Sequence, residues 1–384
     1  MQTNILVGGS FHAPLLAKTL MSLGENFTIY TSATRNKFGI DAKNYQINFV
    51  PLIAAIIQRL TKINLSKFSE QEAILFDNLA SLLMKRCDVL YGWAGYSLKS
   101  AQKAKLAGSK FVLERSCPHI LFQENILEQE AEKLKIKYIP KSQSWINRST
   151  AEYELADFIV VPSKYTYNSF IKHSYHANKI FIAELDHKIS LPPAKTRQEK
   201  NDFVVGMLGG SLLRKGFIYL LAAWKKLNLP NAKLLLRASE HELKQSPIIC
   251  EYLNTLNNVE IFSHYFNNIN EFYQQCDVFC LPSVDEGFGM AVIEAMANSL
   301  PVIITENVGA KDLIVNQEFS FIIEPFNSDQ IAEKIEFLYK NRGITSQLGD
   351  KAYKFVLAKE NDKEIGEILY QKQIKLLYKL LKTI

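Results

Sequence analysis

The sequence predicts an α/β protein with two doubly wound, Rossmann-like domains that face each other across a deep cleft. Short apolar stretches alternate with helical patterns through both halves of the chain, which is typical of parallel sheets covered by helices. A polar, proline-containing stretch at 191–202 lacks apolar periodicity and predicts a linker. The 384 residues suit two hydrophobic cores rather than one.

The predicted elements define a first domain at residues 1–190 and a second domain at 203–362. In the first half, strands are predicted at 4–7, 27–30, 89–91, 111–114, 158–161 and 180–182, with helices at 13–23, 69–86, 97–107, 120–135, 146–156 and 164–174. In the second half, strands are predicted at 203–208, 233–237, 260–262, 278–281, 302–305 and 321–323, with helices at 217–227, 240–255, 269–275, 290–298 and 329–339. Residues 363–382 space apolar side chains among lysines, as an amphipathic helix does.

Composition narrows the class of protein. Hydrophobic content of 47% and charged content of 22% are typical of a globular protein, and no apolar run reaches the roughly 18 residues of a membrane span. No signal peptide is visible, and the five cysteines show no disulfide spacing, so we expect a cytoplasmic protein. The net charge of +6 is too small to indicate nucleic acid and is compatible with anionic substrates or an anionic membrane surface.

The most informative stretch is residues 281–297, which reads as the end of a buried strand, a turn and a helix. Gly287 and Gly289 allow the backbone to turn tightly and approach a ligand. The following helix offers unpaired N–H groups and the positive end of its dipole, which suit a phosphate. Glu286 precedes the turn and Glu294 lies about one helical turn inside the helix, so both carboxylates can accept hydrogen bonds from sugar hydroxyls in one pocket.

With seven residues between them, Glu286 and Glu294 resemble the Glu-x7-Glu motif of family 4 retaining nucleotide-sugar glycosyltransferases. These enzymes, also called glycosyl transferases group 1, have the GT-B fold. The resemblance extends from about Ile5 to about Tyr339. It implies transfer of a sugar from a nucleotide diphosphate to a glycan or lipid-linked saccharide acceptor. It also implies that a C-terminal helix at 363–384 packs back on the first domain.

The resemblance assigns the donor to residues of the second half. Glu286 is expected to hold hydroxyls of the donor sugar and Glu294 those of the ribose. The expected backbone donors to the phosphates or sugar are Gly287, Phe288, Gly289 and Met290. Tyr265 follows the strand predicted at 260–262, where the family holds the nucleotide base, although packing is an alternative explanation for it.

Lys215 is expected to neutralise the diphosphate. Cleavage between sugar and diphosphate builds negative charge on the leaving group, so a lysine there stabilises the transition state more than the ground state. Many family members carry an arginine five residues before this lysine, where this chain has Gly210. Either Arg214 substitutes for it from a different angle, or one fewer cation reaches the phosphates.

The first half contributes weaker candidates at the carboxyl ends of two strands. Gly9 and Ser10 are expected to border the donor phosphates and His12 the acceptor, although a tight strand–helix turn explains the glycines as well. Arg115 is a candidate for an acidic acceptor group. His119 corresponds to a family histidine near the reacting carbon of the donor sugar. A purely structural role is the alternative explanation for this residue. Residues 40–67, on the acceptor side, carry no readable motif.

No metal site or cofactor is expected. The seven histidines and five cysteines show no ligand spacing, and no Asp-x-Asp follows a strand, so a cationic loop and a helix N-terminus would bind the diphosphate instead. The alternatives left open are a nucleotide-sugar epimerase of similar fold and an inactive nucleotide-sugar-binding subunit. An oxidoreductase is disfavoured because residues 8–10 lack the Gly-x-Gly-x-x-Gly spacing.

Expectations for the acceptor and for the location of the protein come from what is common in the family and from the distribution of lysines. The acceptor is expected to be a surface polysaccharide or a lipid-linked saccharide at the inner face of the membrane. Lysines of the first half could contact that anionic surface, with an ordinary solvated lysine face as the alternative. These lysines are Lys103, Lys105, Lys110, Lys133, Lys135 and Lys137.

Overall fold

The computed structural model describes residues 1–33, 45–47, 69–185, 202–238, 243, 246–256, 258–263, 268–361 and 369–383. Within these residues the chain forms two parallel β-sheets, each with helices around it. Of the predicted linker, residues 191–201 lie outside the described residues. Tyr265 and residues 40–67, except 45–47, also lie outside them.

The first domain is built on a seven-stranded sheet. Its strands are β1 (Gln2–Val7), β2 (Asn26–Thr31), β3 (Tyr45–Ile47), β4 (Val89–Trp93), β5 (Lys110–Glu114), β6 (Phe158–Val161) and β7 (Ile180–Ile182). Its helices are α1 (Ala13–Ser22), α2 (Ser69–Leu83), α3 (Leu98–Leu106), α4 (Ile120–Leu134), α5 (Gln143–Leu155) and α6 (Lys164–Ile171). The strand order is β3-β2-β1-β4-β5-β6-β7, so β1 and β4 meet at the point where the order reverses.

The second domain is built on a six-stranded sheet. Its strands are β8 (Phe203–Leu208), β9 (Ala232–Arg237), β10 (Val259–Phe262), β11 (Val278–Leu281), β12 (Val302–Thr305) and β13 (Ser320–Ile323). Its helices are α7 (Leu212–Lys215), α8 (Phe217–Leu227), α9 (Pro247–Thr255), α10 (Asn270–Tyr273), α11 (Met290–Ala297), α12 (Lys311–Ile314) and α13 (Ser328–Lys340). The order β10-β9-β8-β11-β12-β13 places β11, which precedes Glu286, next to the first strand of this domain.

Two further helices complete the described chain, α14 (Arg342–Asn361) and α15 (Leu369–Leu381). Helix α15 packs against α1 and β7 of the first domain. Its Tyr378 hydroxyl lies 3.1 Å from the Thr3 hydroxyl, and both side chains are buried. The first domain is therefore assembled from two distant parts of the chain.

The predicted two-domain, doubly wound architecture is confirmed, because central parallel strands buried on both faces give continuous apolar runs in the sequence. Four elements were not predicted: β3, α14 and the two four-residue helices α7 and α12, which are too short to show a helical period. Strand β3 has three residues at the edge of its sheet, too few to show a period. Helix α14 buries Leu348, Ala352 and Val356 at every fourth position, but glycines at 343 and 349 weaken its helix propensity. Within the described residues, none of the helices is both long and apolar enough to cross a membrane.

Candidate active site

The carboxyl ends of the two sheets meet at Gly287, which follows β11. A Cβ atom added there would lie 2.0 Å from the carbonyl oxygen of Ser116, which follows β5, so only glycine allows this approach. The Ser163 hydroxyl, just after β6, donates a hydrogen bond of 2.7 Å to the Gly287 carbonyl. The ligand-binding edges expected of both α/β domains therefore face each other.

Glu286 and the two cations before α8 form an ion cluster at this junction. The Glu286 Oε2 atom accepts a close hydrogen bond from Lys215 Nζ, and Arg214 Nη1 lies 3.3 Å from the same oxygen. The side chains of Lys215 and Glu286 are only 11% and 12% accessible. The structure therefore brings together three of the predicted site residues.

The electrostatic balance at Glu286 keeps its carboxylate ionised. Burial by itself raises the pKa of this group, but the charges of Lys215 and Arg214 and their hydrogen bonds outweigh burial and lower the pKa below its ordinary value. A negative charge and two positive charges thus occupy a water-poor site, where such interactions are stronger than in bulk water. A diphosphate entering the site would find cations already in place.

Arg214 also fixes the segment that leads to Glu286. Its carbonyl accepts from the N–H groups of Val284 (2.9 Å) and Asp285 (3.3 Å), and its Nη1 donates to the Asp285 carbonyl at 3.2 Å. The guanidinium therefore forms hydrogen bonds within the second domain, to the backbone and to Glu286. Arg214 is also the residue that precedes Lys215 in the sequence. Its replacement of the missing arginine at Gly210 stays a prediction.

The turn after Glu286 leads directly into α11. Gly289 adopts φ +96°, a conformation that L side chains rarely adopt, and a Cβ there would lie 2.9 Å from Val308 Cγ1. Phe288 is buried, and its carbonyl accepts from the Ala310 N–H at 2.6 Å. Met290 is the first residue of α11, so the predicted strand–turn–helix is present around these four positions.

Glu294 lies on α11 and is held by a residue that sequence reasoning missed. The Tyr273 hydroxyl, at the end of α10, donates to Glu294 Oε2 at 2.8 Å. Tyr273 is fully buried, and burial together with the Glu294 charge raises the pKa of its hydroxyl, which stays protonated as a donor. The carboxylate of Glu294 is therefore oriented before any ligand binds.

His12 lies in a buried polar cluster of the first domain. Its Nε2 atom is 2.8 Å from Glu114 Oε1, and its ring centroid is 5.2 Å from that of Trp93. The other oxygen of Glu114 accepts from the Tyr91 hydroxyl and, at 3.5 Å, from the Tyr370 hydroxyl of α15. Contact of His12 with an acceptor stays a prediction.

Gly9 and Ser10 form the turn between β1 and α1. The Gly9 carbonyl accepts from the Thr31 hydroxyl at 2.9 Å, and the Ser10 carbonyl accepts from the Ala13 N–H at 3.0 Å. These bonds fix the turn on the first domain. The role of both residues toward the donor stays a prediction.

Arg115 braces its own loop. Its Nε atom donates to the carbonyls of Cys117 (3.2 Å) and Pro118 (3.1 Å), and Nη2 donates to the Pro118 carbonyl at 2.9 Å. This holds the loop that approaches Gly287. The guanidinium is thus partly occupied before an acceptor arrives, and an acceptor-binding role stays a prediction.

The structure does not bring the His119 ring together with Glu286. The ring stacks on His173 with centroids 4.1 Å apart and contacts Tyr153, Phe170 and Tyr175. Burial, with the nearby His173 and Arg115, lowers the pKa of His119 to about 3, so its ring is neutral near pH 7. The His119 carbonyl accepts from the Gln123 N–H at 2.9 Å in the first turn of α4. The sequence carried no signal for this aromatic environment.

Metal ligands do not cluster in the described part of the chain. No three His, Cys, Asp or Glu side chains among the described residues lie close enough to hold an ion. Catalysis without a metal stays a prediction. The cations available at the site are Lys215 and Arg214.

A family model matches the second half of the chain. Residues 191–355 match the model described as glycosyl transferases group 1, so this part of the chain is similar to members of that family. The predicted resemblance is thereby confirmed, and the narrower assignment to family 4 is compatible with it.

Individual relatives and solved structures agree with this class. The chain is 34% identical over 174 residues to the capsular polysaccharide biosynthesis glycosyltransferase CapM of Staphylococcus aureus, covering 44% of this chain and 45% of that protein. It is 28% identical over 138 residues to the N,N'-diacetylbacillosaminyl-diphospho-undecaprenol alpha-1,3-N-acetylgalactosaminyltransferase of Campylobacter jejuni, covering 35% of each. The chain thus spans less than half the length of these two curated relatives. Anabaena HepE, solved in complex with UDP-glucose, superposes with a TM-score of 0.66 at 16% identity over 99% of this chain and 100% of that one, and it confirms the GT-B fold.

Proposed function

We propose that this protein is a retaining glycosyltransferase that moves a sugar from a nucleotide diphosphate sugar to a glycan or lipid-linked saccharide. The observation that carries the proposal is the cluster of Glu286, Lys215 and Arg214, whose side chains are 12%, 11% and 24% accessible, where the carboxyl ends of the two sheets meet. Such a cluster supplies a carboxylate for sugar hydroxyls beside cations for a diphosphate. The complexes of HepE with UDP and UDP-glucose support a nucleotide sugar as the donor and make UDP the first nucleotide to test.

The roles in this proposal follow from the charges of the cluster. Lys215 neutralises the diphosphate, on which negative charge grows as the bond to the sugar breaks. Glu286 accepts hydrogen bonds from hydroxyls of the donor sugar and keeps the sugar next to that charge. The departing diphosphate oxygen takes the proton of the acceptor hydroxyl, so front-face substitution with retention requires no protein base.

A thermal shift screen against nucleotide sugars tests the donor assignment. A ligand that binds only the native state adds RT ln(1 + [L]/Kd), or about 2.7 kcal/mol at a hundred times Kd. We expect one nucleotide diphosphate and its sugar conjugates to raise the melting temperature. No stabilisation by any nucleotide sugar would contradict the proposal.

A transfer assay with the stabilising donor then separates the reaction classes. Nuclear magnetic resonance of the product reports whether the anomeric configuration of the donor is kept, as the proposal requires. Epimerised donor without transfer would instead indicate an isomerase, and bound donor without turnover would indicate a binding subunit.

Replacing Glu294 with alanine is expected to weaken binding of the free nucleotide diphosphate. The carboxylate is oriented by Tyr273 and is proposed to bind the ribose, and a hydrogen bond to a charged group contributes about 1.5–3 kcal/mol. Isothermal titration calorimetry with the nucleotide diphosphate measures the loss. Glu333→Ala, a change to an exposed helical residue of the same domain, is the matched control. Wild-type affinity in Glu294→Ala would show that the ribose assignment is wrong.

We further propose an acceptor at the inner face of a membrane, supported by the diphospho-undecaprenol in the name of the Campylobacter relative and the capsular polysaccharide biosynthesis in the name of the Staphylococcus relative. Of the predicted basic residues, Lys105 pairs with Asp157 at 2.8 Å and Lys103 donates to the Ser81 carbonyl, whereas Lys135 and Lys137 are exposed. Each lysine near an anionic leaflet contributes about 1 kcal/mol.

We expect co-sedimentation with phosphatidylserine vesicles at low salt and its loss at high salt, because the attraction is electrostatic. Lys135→Glu/Lys137→Glu should abolish this binding, while Lys334→Glu/Lys340→Glu on the second domain should not. Absence of binding at low salt would favour an acceptor free in solution.

A further inference from the structure

Asp285 is a buried carboxylate of the second domain that is bound by two side chains of the first domain. The residue has no accessible surface. Gln123 Nε2, on α4, donates to Oδ2 at 2.5 Å, and the Tyr165 hydroxyl, on α6, donates to Oδ1 at 2.9 Å. Each carboxylate oxygen thus has a donor that is available only while the two domains are in contact.

The backbone of Asp285 is tied to the candidate active site. Its N–H and carbonyl both bond to Arg214, and the next residue is Glu286. Arg214 also contacts the Glu286 carboxylate at 3.3 Å. A displacement of Asp285 would therefore move both the peptide that leads to Glu286 and the guanidinium that holds it.

Burial of this carboxylate makes the contact specific. A buried carboxylate without partners is strongly disfavoured, so closure of the domains requires Gln123 and Tyr165 to replace the water that Asp285 loses. Burial raises the pKa of Asp285, while the two donors and Arg214 oppose that shift. An apolar residue at 285 would allow the two domains to close in many relative orientations. The carboxylate favours the one orientation in which both Gln123 and Tyr165 reach it.

We propose that Asp285 is a positioning residue that couples closure of the two domains to the placement of Glu286. This role rests on the proposed function and deepens it, because Asp285 acts on turnover through Glu286 and not through the nucleotide. Under the proposed function, the second domain binds the donor nucleotide in either state. Gly287, the residue after Glu286, lies against the Ser116 carbonyl of the first domain, and we expect this contact only in the closed state.

Full-length variants on both sides of the contact test the proposal. Asp285→Asn keeps the shape but removes the charge and one of the two acceptor oxygens, and Tyr165→Phe removes only the hydroxyl. Asp329→Asn and Tyr175→Phe are the matched controls. They break contacts with Lys226 and Glu154, each within a single domain.

Three measurements are needed: small-angle X-ray scattering with and without UDP, UDP affinity by calorimetry, and kcat with KM for the donor. We expect Asp285→Asn and Tyr165→Phe to keep UDP affinity, to show a larger radius of gyration, and to lose at least about tenfold in kcat, since small misplacements of reacting groups are costly. The double variant should be no worse than the more impaired single variant, because both changes break one contact. The two controls should match wild type.

Unchanged scattering and kcat in both variants would overturn the proposal, as would a loss of UDP affinity that accounts for the whole loss of turnover. If Asp285→Asn does not fold, Tyr165→Phe and Gln123→Ala test the same contact from the first domain. The scattering comparison does not depend on activity. If the wild type neither binds any nucleotide diphosphate of the thermal shift screen nor transfers sugar, the proposed function fails, while scattering still decides whether Asp285 controls closure.

Discussion

Replacing Glu286 with glutamine is expected to lower kcat by about 10²–10³, the usual effect of removing one electrostatic contact to a transition state. Glutamine keeps the size of the side chain but removes the charge that balances Lys215 and Arg214. Affinity for free UDP should be kept or increased, because two cations then face the diphosphate with no carboxylate beside them. Steady-state kinetics and calorimetry measure the two effects separately.

The same variant should show a stability defect that UDP repairs. Loss of one partner of a buried ion pair costs about 3–5 kcal/mol, since the remaining charge stays buried. Phosphate oxygens can take the place of the lost carboxylate, so UDP should raise the melting temperature more in Glu286→Gln than in wild type. Turnover at the wild-type rate, or a smaller stabilisation by UDP, would show that Glu286 does not have the proposed role.

Replacing Lys215 with methionine is expected to lower kcat/KM by about 10³ and to weaken UDP binding as well, because a charge that stabilises the leaving diphosphate is lost. The pH dependence should also change. After burial, which raises the pKa of Glu286, the Lys215 charge is the largest of the influences that lower it. In Lys215→Met the pKa of Glu286 therefore rises, and activity on the acid side should be lost at a higher pH than in wild type.

Lys226→Met is the matched control for this change, because Lys226 lies in the same domain and pairs with the exposed Asp329. It should leave kcat/KM, UDP affinity and the pH profile unchanged. Wild-type UDP affinity in Lys215→Met would show that another group neutralises the diphosphate.

The architecture was predictable because buried parallel strands leave a local signal. β6, β8 and β11 begin and end where their apolar runs do, and the turn from Glu286 to Met290 is encoded by two glycines within four residues. These signals depend on neighbours in the sequence. The cluster of Glu286 with Lys215 joins residues far apart in the chain, and the family resemblance, not periodicity, pointed to it.

The contacts between domains could not be predicted in this way. Asp285 is a polar residue in a turn, and nothing near it in the sequence indicates its partners at 123 and 165, which lie more than a hundred residues away. The surroundings of the His119 ring could not be predicted from the sequence either. A histidine at a strand end is compatible with a substrate site, and only the packing of Tyr153 and Phe170 around it shows where the ring lies.

The return of α15 to the first domain has a consequence for synthesis of the protein. Five of its side chains, Tyr370, Ile374, Leu377, Tyr378 and Leu381, are buried, so the core of the first domain is incomplete until residue 381 has left the ribosome. Synthesis proceeds at about 5–20 residues per second, and domains whose residues are contiguous fold as they emerge. We infer that the second domain can reach its native state first, and that apolar surface near α1 and β7 stays exposed to chaperones until translation of α15 is complete.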